Sequence, residues 1–157
     1  MFLLQLEGHV GLGMLFAGLV SLLYPSNVYD DTLWIWFVAF IGMMSWPDLD
    51  LEFELTHRSF THTLAGALVF GVISALIFGL VNVKYVFSGF VGGFSGTLVH
   101  MLGDLFTYWK FQPLWPLSKK AIAFRFFKAN NKGINSLFAK TGTLVFMIVL
   151  VYRVLAK

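Results

Sequence analysis

The chain has 157 residues, of which 58% are hydrophobic and 12% are charged, and its mean hydropathy is +0.78. A soluble domain is about half apolar and about a quarter charged, so this composition predicts a membrane protein. The length predicts a single domain, residues 1–157. The absence of cysteine excludes disulfides, thiolate zinc sites and cysteine nucleophiles. In a membrane protein a net charge of +3 indicates orientation and lipid contact, and no nucleic-acid partner is expected.

Five apolar stretches approach the roughly 20 residues that a helix needs to cross a bilayer. In chain order they are about Leu6–Tyr24, Thr32–Trp46, Thr61–Val83, Val86–Leu102 and Leu137–Ala156. The first stretch lacks the basic start and the cleavage site of a signal peptide, so we expect it to be retained as a helix. The predicted fold class is therefore all-α, a polytopic bundle of about five transmembrane helices.

A basic segment separates the last two predicted helices. Lys110–Lys140 carries seven basic residues and no acidic one, and the positive-inside rule places it in the cytoplasm. With five spans, the loop between helices two and three lies on the same side, and Asp30 and Asp31 lie on the other. The stretch SKKAIAFRFFKANNK interleaves Phe with Lys and Arg, which predicts a basic amphipathic interfacial segment. It is either a helix lying on membrane lipids or a solvated loop.

Seven other polar residues fall at the predicted cytoplasmic end: His9, Asp48, Asp50, His57, His62, His100 and Asp104. Each alone would more often be a hydrogen-bonded core residue or a solvated one, but their convergence predicts a metal site. His100 and Asp104 are four residues apart, so they share one helix face. His57 and His62 fit one site if His57 lies in the loop and His62 in the first turn of helix three, capped by Ser59 or Thr61.

Imidazole and carboxylate without thiolate suit zinc, manganese or iron. Seven ligands suffice for one or two divalent ions, which commonly activate water and stabilise displacement at phosphorus. We expect Asp48 or Asp50 to bridge the ions or to act as the general base. Arg58 is predicted to clamp a phosphate or oxyanion, although a headgroup anchor or a partner for either aspartate fits it equally well.

Four motifs occur in a recognisable order: GHVGLG, PDLD, HRSFTHT and HMLGDLFTYWKFQPLWPL. Together they resemble the YdjM-like family of inner-membrane-associated, metal-dependent hydrolases, whose LexA-binding label no residue here supports. The resemblance covers residues from about 8 to 117. It implicates the seven residues above together with Arg58, Thr61 and Thr107, and it implies an inner-membrane location.

The chain departs from the family pattern in places. Leu51 stands where the family often has histidine, Ser59 replaces glycine and Thr63 replaces serine. The order of ligands is also similar, at a distance, to zinc-dependent phospholipase C, but the later His and Glu ligands of that group are missing.

These observations predict a membrane-bound metal-dependent hydrolase whose site faces the cytoplasm. The expected substrate is a small-molecule or lipid phosphoester or ester. The alternative is a non-catalytic protein, either a metal-binding transporter or a scaffold whose polar cluster holds the bundle together. A transporter needs a polar path to the other face, and the outer halves of the predicted helices offer only Ser, Thr and Gly.

Overall fold

The computed structural model describes residues 3–24, 27–48, 50 and 59–156. Five α-helices make up most of this part of the chain. They are α1 (Leu3–Leu23), α2 (Asp31–Met44), α3 (Leu64–Val81), α4 (Val86–Leu105) and α5 (Lys132–Leu155). Short 3-10 turns occupy Trp46–Asp48, Phe60–His62 and Val83–Tyr85. The predicted all-α class and the bundle of about five helices are confirmed.

Four segments of the described chain are long and apolar enough to cross a membrane. They are Leu6–Leu23, Leu64–Val81, Val83–Leu105 and Lys132–Leu155. Helix α2, with 14 residues, is about 21 Å long at 1.5 Å per residue, which is less than a hydrocarbon core of about 30 Å. Of the five described α-helices, α2 has the fewest residues.

The helices approach closely because glycines line their contacts. Helix α1 packs along α5, and α4 packs between α2 and α3. A methyl group added at Gly142 would overlap the carbonyl of Gly11, so these two backbones touch directly. Inside the bundle, Ala17, Phe40 and Met44 form an apolar core with neighbouring side chains.

Helix α3 begins later than predicted. Thr63 is its N-cap, with an extended backbone and a side-chain oxygen that accepts the Gly66 N–H at 3.0 Å. The expectation that Ser59 or Thr61 caps this helix is therefore wrong. His62 lies in the 3-10 turn before the helix and not in its first turn.

The basic amphipathic segment is not a helix between residues 118 and 131. Phe111 and Ile122 exchange backbone hydrogen bonds of 3.3 and 2.9 Å, and Thr107 pairs with Phe127. The segment therefore folds back along the chain that leaves α4, and the helical alternative is wrong. Its Lys and Arg side chains, with Phe124 and Phe126, are exposed.

The opposite end of the bundle holds its own small polar cluster. Asp31 accepts hydrogen bonds from the Lys84 ammonium at 2.5 Å and from the Tyr85 hydroxyl at 2.9 Å. Since helix directions alternate, this cluster lies a full helix length from the basic segment. The two ends of the molecule therefore carry separate polar groups.

Candidate metal centre

Four side chains meet at the end where α2 and α4 finish and α3 begins. Asp48 comes from the turn after α2 and His62 from the turn before α3, whereas His100 and Asp104 lie one turn apart near the end of α4. Each offers one ligand atom, and the four atoms lie within 4.8 Å of one another. We call these residues the four-residue group. Helix α4 supplies two members because positions i and i+4 share a face.

Both imidazole nitrogens lie at distances from each other and from the two carboxylate oxygens that are close to those in a tetrahedral coordination shell. His62 Nε2 lies 3.2 Å from Asp104 Oδ2, 3.2 Å from His100 Nε2 and 3.4 Å from Asp48 Oδ1. His100 Nε2 lies 3.5 Å from Asp48 Oδ1 and 3.7 Å from Asp104 Oδ2. Ligands placed tetrahedrally about 2.0–2.1 Å from a zinc ion are about 3.3–3.4 Å apart. The group fits one such ion with little rearrangement.

His100 is oriented by a backbone carbonyl. Its Nδ1 lies 2.7 Å from the Met44 oxygen, and a carbonyl can only accept, so Nδ1 is the donor. In the neutral imidazole the lone pair is then on Nε2, which faces the four-residue group. No sequence signal pointed to Met44, because the contact is made by its backbone.

His62 is oriented by a hydroxyl and a carboxylate. The Thr61 hydroxyl donates to Asp50 Oδ2 at 2.8 Å, and its oxygen lies 2.9 Å from His62 Nδ1. Asp50 Oδ2 is also 3.5 Å from Nδ1, and both side chains are buried. Nδ1–H therefore donates on this side, and in the neutral imidazole the Nε2 lone pair faces the group. Asp50 lies behind His62 and acts on it through Nδ1.

His9 lies beside the group, against its α4 members. Its ring stacks on that of His100 with 3.9 Å between centroids, and its Nε2 is 3.5 Å from Asp104 Oδ1. This is the carboxylate oxygen not directed at His62. His9 also borders a narrow cavity of about 30 Å³ between α1, α4 and the start of α5, which has room for about one water molecule.

The charges of the group are matched to a divalent ion. Burial would raise the pKa of Asp48, but its interactions with His100 and His62 hold that pKa well below its ordinary value. Asp48 is therefore ionised, and with an ionised Asp104 the group carries two negative charges. A buried carboxylate beside a partly buried one is costly without a compensating cation. A divalent ion with two neutral imidazoles balances them.

The structure thus brings together many of the residues predicted from the sequence. Asp48, His62, His100 and Asp104 form one group, and His9 and Asp50 contact its members. His57 and Arg58 lie outside the described residues, so their predicted roles stay predictions. Thr107, implicated by resemblance, donates to the Asp104 carbonyl at 2.8 Å and so closes the end of α4.

Phe111 was missed by the sequence reasoning. Its buried ring lies 6.1 Å from the His62 ring, edge to face. The residue belongs to a motif that carries the resemblance, but an aromatic residue in an apolar chain gives no signal of its own. Its position shows that the segment after α4 closes one side of the group.

Replacing Asp50 by asparagine is expected to weaken zinc affinity by about 10–100-fold. Asparagine can still accept from Thr61, but it lacks the charge that holds Nδ1–H of His62. Competition with a chromophoric chelator measures the affinity, and Asp30→Asn, at the α2 N-cap, is the matched control. An unchanged affinity in Asp50→Asn would contradict the orienting role.

Zinc binding is expected to strengthen as the pH rises. Burial by itself would lower the pKa of His62, but the carboxylates of Asp104, Asp48 and Asp50 raise it to about 10. Without metal the ring holds a proton at neutral pH, and an ion at Nε2 must displace it. We expect the apparent affinity to rise about tenfold per pH unit between about pH 6.5 and 9. A pH-independent affinity would contradict this coupling.

The stability of the metal-free protein should fall as the pH rises, whereas its zinc affinity should increase. Because the folded-state pKa of His62 lies above its ordinary value of 6.5, its stabilising contribution is complete below pH 6.5 and is lost as the pH rises through about 10. The melting temperature of chelated protein should fall over this range. The melting temperature of zinc-loaded protein should not fall over this range.

Comparison with known proteins identifies the family of the chain. No curated protein and no solved structure is significantly similar to it. A family model described as YdjM inner membrane protein matches residues 4–157 and therefore spans all four residues of the group. The protein is a membrane protein that belongs to the YdjM inner membrane protein family.

Proposed function

We propose that the protein is a membrane-bound, metal-dependent hydrolase that cleaves a phosphoester or an ester at the membrane boundary. One observation carries the proposal: two imidazole Nε2 atoms stand 3.2 Å apart, and each lies 3.2–3.7 Å from two carboxylate oxygens, as around a tetrahedral ion. Hydrogen bonds at the other ring nitrogens of His62 and His100 direct both lone pairs toward the same point. Polar contacts that only stabilise helix packing would not require two histidine lone pairs to face the same point.

Zinc is the ion that fits best, because four nitrogen and oxygen ligands at tetrahedral spacing are its common arrangement in proteins. Manganese and iron share the ligand types. A divalent ion in such a site supplies Lewis acidity, which polarises phosphoryl or carbonyl oxygens and lowers the pKa of water.

Asp48 is the member of the group that substrate can reach. Its side chain is 22% exposed, whereas those of His62, His100 and Asp104 are at most 3% exposed. We assign it the additional role of general base, in which the oxygen not facing the histidines accepts a proton from the attacking water. Asp50, buried behind His62, orients that ring. Arg58 is proposed to bind the anionic part of the substrate.

A second ion is proposed beside the first, held by His9 and by Oδ1 of Asp104. The parallel rings of His9 and His100 face the two oxygens of one carboxylate. His57 is the candidate for completing this position.

We propose that the end of the bundle with the four-residue group faces the cytoplasm. The basic segment lies at the same end, and the positive-inside rule places such segments in the cytoplasm. The chain has no cysteine, so single cysteines at Val83 and Lys119 can report the orientation. We expect an impermeant maleimide to label Val83→Cys in intact spheroplasts, and to label Lys119→Cys only after lysis. The reverse pattern would contradict the proposed orientation.

The proposal is tested by metal analysis and hydrolysis with detergent-purified protein. We expect at least one metal ion per chain. We also expect turnover of p-nitrophenyl phosphate, its bis-ester or p-nitrophenyl butyrate that chelator abolishes and zinc restores. His100→Gln should lack both metal and turnover. Wild-type protein without stoichiometric metal would favour a scaffold, and metal without turnover of any probe would favour a carrier. Either result would overturn the hydrolase.

A further inference from the structure

A second cavity opens next to the four-residue group. This cleft, of about 430 Å³, lies between the turn before α3 and the segment that follows α4. Its walls include Ser59, Phe60, Lys110, Phe111, Gln112 and Trp115. Clefts that bind small molecules typically measure about 300–1,000 Å³, so this one can take a ligand of moderate size.

The walls of the cleft are held in place by backbone hydrogen bonds. The Leu64 N–H donates to the Pro113 carbonyl at 2.7 Å, and the Ala65 N–H donates to the Trp115 carbonyl at 3.4 Å. These two hydrogen bonds hold the first turn of α3 against the segment that follows α4. Phe60 and Trp115 also meet edge to face, with 6.2 Å between ring centroids. The cleft is therefore formed before any ligand arrives.

The chemistry of the lining favours an anionic amphiphile. Among the described residues of the lining, Lys110 carries a charge, and the sequence has no acidic residue after Asp104. The Gln112 amide and the Ser59 hydroxyl add hydrogen-bonding groups, whereas Phe60 and Trp115 offer partly exposed aromatic surface. A phosphate can pair with the lysine and accept hydrogen bonds from the amide and the hydroxyl, and an apolar chain can pack against the aromatic rings.

The position of the cleft connects it to both the metal centre and the lipid. Phe111 lines the cleft and also lies against the His62 ring, so the cleft adjoins the metal centre. Leu114 and Leu117, in the segment that also supplies Gln112 and Trp115, are strongly exposed, as expected for apolar side chains that face a membrane or a partner. A ligand in the cleft therefore lies close both to the metal centre and to exposed apolar side chains.

We infer that this cleft binds the phosphate of a lipid phosphoester, with Lys110 and Gln112 at the phosphate and the Phe60–Trp115 pair against the adjoining apolar chain. This inference names the substrate class of the proposed hydrolase, and it rests on that function only in assigning the bound lipid as substrate. Binding itself requires no metal.

The test measures the binding of dihexanoyl phosphatidic acid to detergent-purified protein by isothermal titration calorimetry. Inorganic phosphate and dihexanoyl glycerol are the other probes. We expect Lys110→Gln to weaken phosphatidic acid binding by about tenfold, as for loss of one charge-assisted hydrogen bond. Lys119→Gln, which removes an exposed lysine outside the cleft lining, should change the affinity by less than about twofold. Both other probes should bind at least about tenfold more weakly than phosphatidic acid.

Several outcomes would overturn the inference. These are an unchanged affinity in Lys110→Gln, an equal loss in Lys119→Gln, inorganic phosphate binding as tightly as the lipid, or dihexanoyl glycerol doing so. The third result would indicate a site for free anions, and the fourth a site for apolar chains alone. Repeating the titration with Asp104→Asn separates the two proposals, because lipid should still bind a protein whose metal centre is disabled.

Discussion

Replacing Asp104 by asparagine is expected to empty the metal centre. The substitution keeps the shape of the side chain but removes one of two negative charges, and it exchanges a strong ligand for a weak neutral one. Asp104 also contacts His62, His100 and His9, so several parts of the site lose their counter-charge together. We expect zinc affinity to fall by at least about 100-fold, or about 2.7 kcal/mol.

Metal analysis after dialysis against buffered zinc measures this effect. Wild type should retain about one ion or more per chain, and Asp104→Asn less than about 0.1. Chelator should lower the melting temperature of wild type, because a ligand that binds only the folded state stabilises it, but it should not change that of the variant. Asp31→Asn, at the opposite end of the bundle, is the matched control. Full retention of metal in Asp104→Asn would rule out the proposed coordination.

Replacing Gly142 by alanine is expected to separate α1 from α5. The added methyl group would overlap the Gly11 carbonyl, and a backbone atom in a packed helix cannot move aside as a flexible side chain can. We expect a loss of about 3 kcal/mol in the free energy of unfolding, or about 6–12 °C in melting temperature. Differential scanning fluorimetry in detergent measures the shift.

Gly42→Ala provides the control for that substitution. Gly42 also lies within a helix, but no atom stands within 4 Å of a methyl group added there. The change should leave stability unchanged or raise it by up to about 1 kcal/mol, because alanine favours helix more than glycine does. Equal losses in the two variants would mean that helix–helix overlap is not the cause. The folded fraction of Gly142→Ala should keep the ion of the four-residue group, because no member of that group is on α1 or α5.

The convergence of the polar residues could be predicted because membrane helices alternate in direction. Once apolar stretches and basic residues had set the spans, the ends of helices two and four and the start of helix three had to lie on one side. His62, His100 and Asp104 are then near one another without any knowledge of packing. The i, i+4 spacing of the last two needed only the geometry of a helix.

Other features depended on contacts between residues distant in the chain. The Met44 carbonyl that orients His100 is 56 residues away and gives no signal in the sequence, because every residue has a carbonyl. The N-cap of α3 is Thr63 and not Ser59 or Thr61, although all three side chains can cap a helix. The pairing of Phe111 with Ile122 holds an amphipathic segment extended, where its composition also permitted a helix.

A helical membrane protein with histidines and aspartates gathered at one end can be recognised from the amino-acid sequence without a structure. Hydropathy, charge and the periodicity of a helix act locally and can be counted along the chain. Which atoms face each other depends on how the helices pack. Packing brings one ligand atom from each member of the four-residue group within 4.8 Å of the others, and it places Asp50 behind His62. Those distances result from helix packing and backbone hydrogen bonds between remote segments, which no local pattern records.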